Sequence, residues 1–157
     1  MFRYIATLAF AFSAVALGAS ADISKVNGSI VVEAGQQAGD VSTVNGSITV
    51  GRGSQVQDVE TVNGSVRLEE LSTAASAETV NGDVYVAAGS RIEGGIHVEK
   101  NQGWNWGRQP KNPRVTIESG AVVNGTLQFE RPVDLYVGAG VTLPPVEGVQ
   151  PQQFKLH

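Results

Sequence analysis

The chain has 157 residues, no cysteine, 11 Lys and Arg against 15 Asp and Glu, and a formal net charge of −4 at pH 7. This acidic balance excludes the basic footprint that general nucleic-acid binding needs. Without thiols there are no disulfides, so packing alone must hold what is, by length, a single domain.

In chain order, the first element is an export signal. Arg3 precedes an apolar run over residues 5–17, and Ala19-Ser20-Ala21 forms a small-x-small triplet before Asp22. That is the layout of a secretory signal peptide. The run is too short for a comfortable membrane span. Residues 1–21 are therefore expected to be removed, leaving an exported chain, periplasmic or extracellular, with no transmembrane segment.

From Asp22 the sequence repeats every 18 residues. Val26-Asn27-Gly28-Ser29 returns as Val44-Asn45-Gly46-Ser47, Val62-Asn63-Gly64-Ser65 and Val80-Asn81-Gly82-Asp83. Beneath it runs a period of six, with a small or branched apolar residue at each sixth position from Val26 through Val32, Ala38 and Val44 to Val98. A strict short period means a solenoid whose coils stack on one another. The units 22–39, 40–57, 58–75 and 76–93 align without gaps. Ile30/Val32, Ile48/Val50, Val66/Leu68 and Val84/Val86 alternate as strands with one buried face. Val31, Thr49, Arg67 and Tyr85 between them face out, and Ile23, Val41, Val59 and Ala77 supply a further inward residue per coil. The fold class is all-β: a single-stranded β-helix of about six 18-residue coils with one extruded loop.

The Asn-Gly pairs belong at a corner, because both residues tolerate left-handed backbone. Stacked at this spacing, Asn27, Asn45, Asn63 and Asn81 form a ladder of side-chain amides. Asn27, Asn45, Asn63 and Asn124 also begin formal glycosylation sequons, but a corner ladder would hide the amides. Asp22, Asp40 and Asp58 recur at one corner as solvated charges and not as a calcium site, which needs six to eight oxygens. His97 should point outward and His157 is the last residue, neither with a partner at ligand spacing. No catalytic residue, metal site or cofactor is expected.

Residues 99–114, EKNQGWNWGRQPKNPR, interrupt the fifth coil. The pattern then resumes with an offset of 31, residues 120–129 matching 89–98. The interruption carries both tryptophans, Trp104 and Trp106, with Lys100, Arg108, Lys111 and Arg114 around them. Tryptophans beside cations suit contact with sugar rings, anionic glycans or a protein surface. They would equally serve to cover the flank of the stack. Trp104, Trp106, Arg108 and Lys111 are the candidate binding residues. The β-helix domain is read as 22–143. Pro144, Pro145 and Pro151 cannot donate to a ladder, so 144–157 is expected to be an irregular tail or cap.

The repeats at 43–50, 61–68 and 79–86, of the form Thr-Val-Asn-Gly-Ser/Asp-Ile/Val-x-Val/Leu, resemble the adhesin-type family of bacterial exported β-helix proteins (the DUF4097 type). Val123-Asn124-Gly125-Thr126-Leu127-Gln128-Phe129 is also similar to the bactofilins, which are polymer-forming β-helices. The resemblance covers about residues 23–143, most of the chain after the expected signal peptide, and implies a right-handed β-helix with a structural or surface role and no catalytic residues. Export departs from the bactofilins, which are usually cytoplasmic, and the tryptophan loop belongs to neither pattern. The six-residue period alone also matches left-handed hexapeptide acyltransferases, against which export and the lack of a well-placed histidine both count. Three functions follow in order. The first is a non-enzymatic structural or adhesion module of a bacterial envelope, touching a glycan or envelope protein. The second is a scaffold self-associating end to end, and the third an enzyme acting on polysaccharide.

Overall fold

A computed structural model of the protein describes residues 20–101 and 111–157. Apart from Ser20 and Ala21, the expected signal peptide lies outside the described residues, as do Trp104, Trp106 and Arg108.

Each 18-residue unit closes into one coil. Coil one holds β1 (Ile23–Asn27) and β2 (Ile30–Val32), and coil two holds β3 (Val41–Asn45) and β4 (Ile48–Val50). Coil three holds β5 (Gln55–Asn63) and β6 (Val66–Leu68), and coil four holds β7 (Thr73–Asn81) and β8 (Val84–Val86). Coil five contains β9 (Arg91–Ile92), β10 (Gly95–Val98) and, after the loop, β11 (Arg114–Ile117). Coil six contains β12 (Val122–Val123), β13 (Thr126–Phe129) and β14 (Asp134–Val137), and coil seven β15 (Val146–Gly148) and β16 (Gln152–Lys155). All pairings are parallel and give one sheet of nine strands and one of seven. Among the described residues no helix is long and apolar enough to cross a membrane.

The register is the sequence repeat made physical. Ile23, Val41, Val59 and Ala77 stand opposite one another on the first sheet. Ile30, Ile48, Val66 and Val84 do so on the second. After the loop the offset of 31 holds: Ile96 pairs with Leu127 and Val98 with Phe129. Branched apolar residues fill the space between the sheets, with Val59, Val66, Leu68, Ile92 and Leu135 fully buried. Each such side chain contributes roughly 1.5–3 kcal/mol on burial.

Three expectations are corrected by these packing details. The stack has about seven turns, one more than expected, because the tail is regular. Pro144, Pro145 and Pro151 all fall outside β15 and β16, where their missing N–H groups cost nothing, and Pro145 accepts a hydrogen bond from Leu127 N (2.9 Å). The period of six does not run through the core at every position. Val26 and Val44 are 66% and 41% exposed, while Thr43, Thr61 and Thr79, each just before the valine of its own repeat, are buried. Threonine wins the inward place because its hydroxyl is needed there: Thr43 Oγ1 donates to Gly28 O (3.1 Å) and Thr61 Oγ1 to Gly46 O (2.9 Å). Finally, the corner glycines serve close approach more than left-handed backbone. Gly28 has φ +113°, but Gly46, Gly64 and Gly82 are not at positive φ. A Cβ on any of those three would run into the backbone of the glycine one coil earlier. Left-handed backbone recurs coil after coil at another corner, at Gly35, Gly53, Gly89, Gly120 and Gly140, with Leu71 (φ 61°) as the one side chain in that column; Gly95, Gly125 and Gly148 also lie at positive φ.

Candidate functional site

The asparagine ladder forms as expected. Asn45, Asn63 and Asn81 each donate from Nδ2 to the Oδ1 of the asparagine one coil before, at 3.0, 3.0 and 3.1 Å. Two neighbouring columns work the same way. Asp22 and Asp40 accept from the backbone N–H of Asp40 and Asp58 (2.9 and 3.3 Å). Ser29, Ser47 and Ser65 accept from the N–H of Ser47, Ser65 and Asp83 (3.1, 3.2 and 3.3 Å). These corner side chains satisfy backbone groups that the sheets leave unpaired.

The ladder ends where the loop begins. Coil five places Glu99 and Lys100 after Val98, where the earlier coils have Val-Asn-Gly, and the loop takes the place of the corner. Among the described residues, no asparagine of coil five continues the ladder above Asn81 Oδ1. Arg131, from the corner of coil six and only 8% exposed, fills the gap. Its Nη1 donates to Asn81 Oδ1 and Val80 O (both 3.2 Å), and its Nη2 to Lys111 O (3.4 Å). Burial lowers its pKa from the ordinary arginine value, a cost that three acceptors offset.

The return leg of the loop is held further along. Asn112 Nδ2 donates to Asp134 Oδ1 (3.1 Å), Asp134 N to Pro113 O (3.0 Å) and Arg114 N to Asp83 Oδ1 (2.8 Å). The last bond continues the serine column, with aspartate in place of serine at its final rung. Lys111 is exposed, and its carbonyl, not its ammonium, is the group that Arg131 fixes.

The described part of the outgoing leg is held by a backbone carbonyl and a carboxyl group. Glu99 N donates to Thr79 O (2.9 Å), and Lys100 N to Glu130 Oε2 (3.2 Å). His97 does have partners, contrary to the sequence expectation: Nε2 lies 3.1 Å from Glu130 Oε1 and Nδ1 3.6 Å from Glu78 Oε2. One nitrogen of His97 and one oxygen each of Glu78 and Glu99 fall within 4.8 Å of one another. Desolvation first, then the hydrogen bond to Glu99, raises the Glu78 pKa from 4.5 to about 6, with His97 pulling the other way. The Lys100 N–H, then His97, lowers that of Glu130. Register alone could have paired His97 with Glu78 across β10 and β7. Glu99 and Glu130 enter only because the loop breaks the 18-residue offset.

Beside the return leg, the outward face of the second sheet carries a column of rings and cations. Val31, Thr49, Arg67 and Tyr85 face out as expected, and Thr116, Tyr136 and Phe154 continue the same register. The Arg67 guanidinium sits 4.1 Å over the Tyr85 ring, and Arg114 sits 4.8 Å over Tyr136. Tyr136 and Phe154 stack at 4.8 Å. The Tyr85 hydroxyl donates to Glu118, which raises the Tyr85 pKa above its ordinary value. Spacing within the 18-residue repeat reveals only the first half of this column.

No protein-family model, curated protein or solved structure matches the chain. The likeness to adhesin-type β-helix proteins and to bactofilins thus rests on the repeat residues alone.

Proposed function

We propose that the protein is an exported, non-enzymatic β-solenoid of a bacterial envelope that displays the 99–114 loop to a glycan or protein partner. One observation carries this reading: the loop replaces a corner of the stack, and both its legs are tied down by neighbouring coils. A scaffold that holds both legs of an insertion lowers the ordering cost of binding. Trp104, Trp106, Arg108 and Lys111 supply the contact chemistry, and the Arg114–Tyr136 pair extends it along the second sheet. The test is Trp104→Ala with Trp106→Ala in the exported chain, assayed for retention on isolated envelope material. Binding should be lost, with the β-type circular dichroism unchanged. Retention equal to the wild type would refute the loop as the contact surface.

A second reading, end-to-end self-association, is favoured by the last coil. β16 is exposed along its length, so coil seven extends the ladder without covering its end. Unpaired strand edges template further pairing. Light scattering on the chain beginning at Asp22 separates the two: a monomer favours display, and large assemblies favour the scaffold.

A further inference from the structure

Carboxyl groups touch both legs of the loop, but only at the outgoing leg do several of them face one another. The return leg is held by the Arg131 guanidinium on Lys111 O, by Asn112 Nδ2 on the Asp134 carboxylate, by Arg114 N on the Asp83 carboxylate and by the backbone bond from Asp134 N to Pro113 O. On the described part of the outgoing leg, Glu99 N bonds to Thr79 O and a carboxyl cluster is drawn from three coils. Glu78 comes from β7, His97 from β10, Glu99 from the leg itself and Glu130 from the corner after β13. Glu60 on β5 lies one rung further along the same outward column and Gln128 on β13 one rung the other way. Lys100 is the only cationic side chain on the described part of the leg. One oxygen of Glu78 and one of Glu99 lie within 4.8 Å of each other, and for two carboxyl groups to hydrogen-bond there one must carry a proton.

We propose that Glu78, Glu99, His97 and Glu130 form a proton-operated clasp on the outgoing leg of the loop, closed when Glu78 and Glu99 share a proton and loosened when both ionise. With the proton in place, Glu78 ties Glu99 to coil four while Glu130 ties Lys100 N to coil six. Without it, two carboxylates face each other, with Glu60 adding to the repulsion. The raised Glu78 pKa sets the sign. Its contribution to the clasp is complete below the ordinary 4.5 and is lost as pH rises through about 6. Glu130 works in the opposite sense: its contribution is present above the ordinary 4.5 and lost as pH falls through its lowered value. The clasp is therefore tightest in mild acid. Its consequence for partner binding rests on the display reading above; the clasp itself does not.

The test is amide hydrogen exchange of the full exported chain followed by NMR, corrected for intrinsic rates. Displacement of Glu78 from 4.5 to about 6 corresponds to about thirty-fold in proton affinity, an upper bound for a cluster this exposed. The protection of the Lys100 N–H should fall about ten-fold between about pH 5 and about pH 7.5. The Arg114 N–H on the return leg should not change. In Glu78→Gln the amide donates to Glu99 at every pH, and protection at Lys100 should be flat and high. A flat wild-type profile, or the same fall in Glu78→Gln, would overturn the clasp. Should the variant fold poorly, the carbon-13 titration of Glu78 in the wild type decides: a midpoint near 6 supports the clasp, and an ordinary carboxylate value overturns it. Loss of the clasp leaves the tryptophan substitutions free to test display independently.

Discussion

Coils one to four and coils five to seven solve the same stacking problem in different ways. The first four are near copies. Their corner rungs are short polar side chains bonded across one coil: Asn to Asn, Ser and Asp to the backbone N–H of the next rung, and the inward Thr to a glycine carbonyl. In the last three the corner glycines are gone, and the inward threonines give way with them to Val98 and Phe129, both fully buried. The polar ladder is replaced by apolar volume and by one long cation, Arg131, that reaches back about fifty residues in sequence to Asn81. Identical rungs give uniform stacking and nothing distinctive on the surface. Function has room only where the copying stops.

That contrast can be broken from either side. The largest effect is expected at the glycine column. In Gly64→Ala the new methyl group meets the Gly46 backbone, which cannot give way as a side chain would. A loss of about 3 kcal/mol is expected, read as a lower urea midpoint at constant slope. A loss under about 1 kcal/mol would mean that the coils are less tightly apposed than the column implies. Next comes the junction. Arg131→Met leaves Asn81 Oδ1, Val80 O and Lys111 O without their donor, and should cost about 2 kcal/mol. Because coils contact only their neighbours, hydrogen exchange should rise at coils four and five and stay unchanged at coil one. The smallest effect has the opposite sign. Leu71, at φ 61° in a column otherwise made of glycine, carries left-handed strain that Leu71→Gly removes. A gain of about 1 kcal/mol is expected, visible as a rise of a few degrees in Tm.

Much of the first region was legible because the repeat length equals the coil length. Spacing by 18 placed Ile23 opposite Val41 and stacked Asn27 on Asn45 before any coordinates were needed. The 31-residue offset likewise located the loop and matched Gly89 with Gly120, both at positive φ. The candidate site was harder to read. His97 looked isolated because its partners Glu78, Glu99 and Glu130 lie at unequal separations, and only Glu78 falls in a simple register. Tyr136 and Phe154 were missed as a pair because the prolines of the tail suggested irregular chain, although all of them fall outside the strands.

Periodicity by itself determined the solenoid, its registers, the asparagine ladder and the position of the insertion, because local alternation and stacked identical rungs repeat without reference to distant residues. Tertiary structure alone decided which side chain of each rung turns inward, how the ladder is terminated and what gathers at the base of the loop. Those outcomes depend on contacts between coils that are no longer copies of one another. There the partner of a group is set by reach and charge across the stack, and no fixed interval in the chain encodes it.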